Sequence, residues 1–208
     1  MSYDPATKIQ ELSAFGEFGG VNPSITDSST YTFLKSETMK ELFESEIEGC
    51  FLYSRHWNPS NKYLSDAISA LENSEASQIT SSGISAIACT ILQICEQGDQ
   101  IISSRTIYGG TYALFKNVLP KFGISVKFVN ILDLSDVKKN INSKTKMLYC
   151  ESISNPLLDV SDLPGLSKIT KKYAIKLVVD NTFSPMSITP INHGADIVIH
   201  SLTKFING

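Results

Sequence analysis

The residues able to do chemistry gather at the ends of short apolar runs. The sharpest case is Asp196-Ile197-Val198-Ile199-His200-Ser201-Leu202-Thr203-Lys204. Ile197 to Ile199 is too short for a helix and is β-branched, so it reads as a buried strand. Ser201, Thr203 and Lys204 follow it directly. In open α/β sheets, ligands bind beyond the carboxyl ends of the strands. A lysine there, between hydroxyls and apolar neighbours, can be desolvated, which lowers its pKa. A neutral amine so placed can form a Schiff base. Taken alone, an ordinary lysine leaving a strand for solvent is the plainer reading.

Other runs end the same way. Ile175 to Thr182 is the clearest strand, and its apolar run stops at Asp180. A half-buried carboxylate there needs a cationic partner: a protonated pyridine nitrogen would serve, and so would a nearby Arg or Lys. The strand Lys146 to Cys150 ends in Glu151-Ser152-Ile153-Ser154-Asn155-Pro156. Ser81-Ser82-Gly83-Ile84 opens a helix running to about Gln97, closed by Gly98. Such a start offers free N–H groups to an anion, or is an ordinary N-cap. It is neither a G-x-G-x-x-G fingerprint nor a Walker loop. Tyr108-Gly109-Gly110-Thr111 follows the strand Gln100 to Ser103, and Tyr108 could stack on a planar ring. Tyr53-Ser54-Arg55 combines a phenol with a guanidinium that can grip a phosphate bidentately; a surface turn is the plainer reading.

Alternating elements must position these groups. Residues 1–35 lack periodicity and carry Gly16, Gly19, Gly20 and Pro23, which predicts an extended arm suited to a partner subunit. Ser36 caps a predicted helix through Ile47. Pro59 and Ser60 start another, with Tyr63, Leu64, Ala67, Ile68 and Leu71 on its buried face. A short strand is expected near Gln78 to Thr80. Helix Thr111 to Leu119, strand Ile124 to Val129 and helix Ser135 to Ile141 follow. Ser161 caps a last helix, with Pro164 in its first turn, to about Tyr173. The alternation predicts an α/β fold with a mainly parallel sheet covered by helices. The expected division is an arm with a short helix and loop over residues 1–60, then an α/β domain over 61–208.

Composition removes several functions. With 208 residues, 42% hydrophobic, the chain can bury a full core. Net charge is -3 with scattered Lys and Arg, which argues against a nucleic-acid partner. No apolar run approaches the roughly 20 residues that span a membrane, and no signal peptide is visible, so a cytoplasmic protein is expected. Cys50, Cys89, Cys95 and Cys150 form no C-x-x-C pair and read as buried thiols. His56, His193 and His200 lack the spacing of metal ligands.

The set Tyr53-x-Arg55, Ser82-Gly83-Ile84, Tyr108-Gly-Gly-Thr111, Glu151…Asn155-Pro156, Val179-Asp180-Asn181-Thr182 and His200-Ser-Leu-Thr-Lys204, in this order, resembles the Cys/Met-metabolism family of pyridoxal-phosphate (PLP) enzymes. Its members include cystathionine γ-synthase, cystathionine γ-lyase, methionine γ-lyase and O-acetylhomoserine sulfhydrylase. The resemblance runs from about residue 15 onward and implies the large domain of the fold-type-I transferases. It implies that Lys204 forms the internal aldimine with the cofactor and that Asp180 pairs with the pyridine nitrogen. Tyr108 would stack on the ring and protonate the leaving group, a catalytic role beside Lys204 and Asp180, and Asn155 would sit beside the ring hydroxyl. Ser82, Gly83 and Ile84 would bind the phosphate with Ser201 and Thr203. Tyr53 and Arg55 would reach the phosphate of a neighbouring subunit, which implies a homodimer at least, and a homotetramer is expected.

The activity implied is γ-elimination or γ-replacement on a sulfur-containing amino acid such as methionine, cystathionine or an O-acyl-homoserine, with Lys204 as the base at Cα. Gly110 stands where members devoted to methionine cleavage often carry cysteine. The family runs to roughly twice this length. Its remaining strands, small C-terminal domain and carboxylate-binding arginine are therefore expected to lie outside these residues, which alone should turn over little substrate. The alternative is a truncated, non-catalytic relative that binds PLP or pairs with a full-length one.

Overall fold

A computed structural model describes residues 3–12, 16–44, 47 and 49–207. Contacts group the chain into two units, Met1–Ile79 and Thr80–Gly208.

In the first unit the expected extended arm is partly helical. Helix α1 (Pro5–Gln10) starts where Asp4 accepts the N–H of Thr7 and proline sets the first helical φ. Six residues with no buried face leave no periodic signal. Helix α2 (Ser36–Glu44) begins at Ser36 itself; of the predicted continuation to Ile47, residues 45 and 46 lie outside the described ones, and Ile47 is not helical. Helix α3 (Pro59–Glu72) is capped by Asn58, whose Oδ1 accepts the N–H of Asn61 at 2.8 Å. Leu71 is buried on it, while Tyr63, Leu64, Ala67 and Ile68 are only half-covered.

The second unit is built on a parallel sheet. Helix α4 (Gly83–Ile94) leads into β1 (Gln100–Ser104). Helix α5 (Gly109–Ala113) continues through a wider turn over Leu114–Val118 and a tighter one over Leu119–Phe122. Proline at 120 is accommodated in the tight turn, so the predicted single helix is three helical segments. Strand β2 (Ser125–Val129), helix α6 (Leu134–Asn140), strand β3 (Thr145–Glu151), helix α7 (Leu163–Tyr173) and strands β4 (Lys176–Asp180) and β5 (Ile197–Ile199) complete it. The order is β2-β1-β3-β4-β5, with every neighbouring pair parallel. The strand expected near Gln78 to Thr80 does not form. β5 is an edge strand, and among the described residues nothing pairs with its outer side.

Two apolar clusters sandwich the sheet. Ile102, Leu148, Cys150, Leu177 and Val179 face α6 and α7, meeting Val137, Leu163 and Leu166. Their strand neighbours Ile101, Met147, Tyr149 and Val178 face the other way, against Ile87 and Ile91 of α4 and Phe115. Alternate residues of one strand thus supply opposite cores, which is why the strands read as continuous apolar runs. Burial also decides the helix: Ile87, Thr90 and Ile91 are poor helix formers by a few tenths of a kcal/mol each. Fully burying one isoleucine contributes about 2 kcal/mol and outweighs that. The cysteine expectation holds for Cys95 and Cys150 and fails for Cys89, which is exposed on α4. Burial pushes the Cys95 and Cys150 thiols up to about 11 and about 12.

Candidate active site

Parallel strands place all their carboxyl ends on one edge. Glu151, the last residue of β3, pairs in register with Asp180, the last of β4, which pairs with Ile199, the last of β5. Glu151 and Asp180 have the parity of Met147, Tyr149 and Val178, so both point to the α4 side. Helix α4 packs on that face of the sheet, and its first residues line one cavity with Glu151 and Asp180, so its N-terminus lies at that same edge. A cavity of about 710 Å³ opens there.

The start of α4 is a reciprocal cap. Ser82 Oγ accepts the N–H of Ser85 at 3.1 Å, and Ser85 Oγ accepts that of Ser82 at 2.8 Å. Helix geometry leaves the N–H groups of Gly83 and Ile84 without an intrahelical acceptor. Ser82, Gly83 and Ile84 all line the cavity. Glycine is required at 83: a Cβ there would lie 2.8 Å from Ser201 Cβ. The helix start and the loop after β5 therefore touch, which brings Ser201 and Thr203 to the same wall. The N–H of Ser201 is fixed by donating to Thr182 Oγ1 at 2.8 Å.

Asp180 is the buried charge of the site, 9% exposed. Its Oδ2 accepts the Tyr149 hydroxyl at 3.1 Å, and its Oδ1 the N–H of Thr182 at 3.0 Å. Among the described residues no lysine, arginine or histidine pairs with it. Burial, then the charges of Asp180 and Glu151, hold the Tyr149 phenol well above its usual range, so it stays a donor. Glu151 is also buried, 7% exposed. Its Oε1 accepts the N–H of Tyr108 at 2.6 Å and its Oε2 that of Asn155 at 3.2 Å. Burial pushes its carboxyl up to about 7; the Tyr108 N–H opposes this, and the Asp180 charge adds to it.

Tyr108 and Asn155 line the cavity, and both are exposed. The ring of Tyr108 lies over Gly110, where a Cβ would come 2.5 Å from Tyr108 Cε1. Lys204 lines the cavity in the turn after β5, its N–H donating to Ser201 O at 3.3 Å. The expected desolvation is not found. The turn carries Lys204 past the strand end to the rim, and the residue is exposed. Tyr53 and Arg55 belong to the first unit, with the Arg55 guanidinium 4.9 Å from the centre of the Tyr53 ring. Arg55 is exposed there.

The residues fit a flat, anionic cofactor with a basic ring nitrogen. A helix start with free N–H groups and hydroxyls suits its phosphate, and an unpaired buried carboxylate suits its nitrogen. Among the described residues no group of three or more His, Cys, Asp or Glu is gathered to hold a metal ion.

The family described as Cys/Met metabolism PLP-dependent enzyme matches residues 7–208. The chain belongs to this family. It is 43% identical over 211 residues to the methionine γ-lyase of Arabidopsis thaliana, covering 99% of this chain and 48% of that one. It is 40% identical over 200 residues to the O-acetyl-L-homoserine sulfhydrylase of Leptospira meyeri, covering 91% and 45%. A crystal structure assigned as an O-acetylhomoserine (thiol)-lyase from Campylobacter jejuni superposes with a TM-score of 0.91 at 28% identity, over 99% of this chain and 51% of that one. That protein carries a pyridoxyl-lysine phosphate. The chain thus spans about half the length of the relatives it matches, and its sheet is the fold-type-I architecture of PLP-dependent enzymes.

In the sequence Tyr149 carries no site signal, and Glu151 shows as a polar strand end that opens the Glu151…Asn155-Pro156 motif. Tyr149 reads as one more apolar residue of β3, because its hydroxyl partner comes from β4. Thr182 left a faint signal, two residues after Asp180 in an Asx-type turn.

Proposed function

We propose that this chain forms the cofactor site of a PLP-dependent enzyme acting on a sulfur-containing amino acid by γ-elimination or γ-replacement. The observation that carries the reading is Asp180, a buried carboxylate with no cation beside it among the described residues. It faces one cavity with Lys204 and with the start of α4.

PLP, when bound, supplies an electron sink for a carbanion at the substrate Cα. Asp180, oriented by Tyr149 and Thr182, would hold the ring nitrogen protonated by its charge. The N–H groups of Gly83 and Ile84, with Ser82, Ser201 and Thr203, bind the phosphate. Tyr108 and Asn155, which line the cavity, would hold the cofactor ring. Lys204 Nζ would hold the cofactor covalently, and as a free amine it would be the base that accepts the substrate Cα proton. Tyr53 and Arg55 complete the phosphate site of a second subunit, so the working form is at least a dimer.

The test is a titration of the protein and of Lys204→Ala with PLP, followed by visible absorption. The reading predicts a saturable visible band for the wild type that Lys204→Ala lacks. Equal bands in the two proteins would contradict it.

A further inference from the structure

We infer that Glu151 is a positioning residue that ties together the two loops holding the cofactor ring, those of Tyr108 and Asn155. The inference rests on the PLP reading above.

The geometry is a two-handed grip. Glu151 ends β3, and its two oxygens serve different loops: Oε1 takes the N–H of Tyr108, 43 residues away, and Oε2 that of Asn155. Its own carbonyl accepts the Ser161 hydroxyl at 2.7 Å, which fastens the return of the loop after β3. Tyr108 needs such an anchor. The residue is 52% exposed and stands just before α5, where its carbonyl accepts the N–H of Tyr112 at 2.9 Å, so its own N–H is the second hold on its backbone. The ring's position therefore depends on where its N–H is held. Asn155 is exposed too, and its loop carries the exposed Leu157 and Leu158.

A carboxylate is the group this task requires. Two N–H groups converge from different loops, so both oxygens must accept. Glutamine would turn an NH₂ toward one of the two donors. An apolar residue would leave both N–H groups without an acceptor. The groups facing Glu151 across the cavity edge are Asp180 of β4, Tyr149 of β3, Tyr108, and Lys204 at the rim. Burial, and then the nearby Asp180 charge, make an ionised Glu151 costly, and the paired N–H donors offset only part of that cost, so both oxygens accept fully once pH has risen through about 7.

The experiment compares the full chain with Glu151→Gln. Amide hydrogen exchange is followed at Tyr108 and Asn155 without cofactor, and PLP affinity and the circular dichroism of the bound cofactor are measured with it. The inference predicts that Glu151→Gln speeds exchange at Tyr108 or Asn155 at least about tenfold, while Leu148 in β3 is unaffected. PLP affinity falls about tenfold or more, and the cofactor's induced dichroism drops as Tyr108 loses its fixed position. Unchanged affinity and dichroism, with or without a change in exchange, overturn it. If the variant does not fold, wild-type exchange decides: a protected Tyr108 amide supports the tie, and exchange at the free-peptide rate overturns it. A wild-type chain that takes no reductively trapped label on Lys204 overturns the PLP reading instead, and the exchange data still decide the tie.

Discussion

Two carboxylates share one edge of the sheet, and their neighbours divide their work. Asp180 receives a phenol and one N–H; Glu151 receives two N–H groups and has its carboxyl pushed up to about 7. Folded protein thus binds a proton at Glu151 that the unfolded chain, titrating near its ordinary 4.5, has already lost. The contribution is full below about pH 4.5 and is lost as pH rises through about 7; a shift of that size is worth roughly 3 kcal/mol as an upper bound. Denaturant midpoints of the cofactor-free protein should fall from pH 5 to pH 8 relative to those of Glu151→Gln. Parallel profiles would contradict this. Tyr149→Phe removes a donor from a buried carboxylate oxygen and should cost about 1–3 kcal/mol in urea unfolding. A change under half a kcal/mol would show that Asp180 finds another donor.

The elements meet closely where α4 begins. Gly83→Ala adds a better helix former, so helicity should be kept or increased. Yet its Cβ would press on Ser201, parting the helix start from the loop after β5. We expect ellipticity unchanged and PLP affinity lowered at least about tenfold. Unchanged affinity would mean that the two walls yield without cost. The strands of this region were legible because each is apolar on both faces, as in Leu177 to Val179. The site residues were legible because each follows such a run. What could not be read depends on partners distant in sequence. The cap of α7 is Asp162, which accepts the N–H of Gly165, while the expected cap, Ser161, donates to Glu151 O instead. The exposure of Lys204 depends on what covers the rim, which no local pattern encodes.

Across the whole chain, apolar side chains stay at the surface of both units. Phe18, Val21, Ile25 and Leu34 are exposed in the first; Leu157, Val160, Met186 and Phe205 in the second. Where such residues gather into one patch they mark a surface that binds protein. The dimer proposed for Tyr53 and Arg55 would use part of them, so sedimentation should show mass rising with protein concentration to at least a dimer. A monomer at every concentration would contradict the shared site. Among the described residues no helix is long and apolar enough to cross a membrane.

The covalent role proposed for Lys204 can be trapped chemically. The protein is incubated with PLP, reduced with borohydride, digested and mapped by mass spectrometry. A pyridoxyl label on Lys204 at near-stoichiometric yield is expected. A label spread over exposed lysines such as Lys116 and Lys172, with none favoured, would contradict it.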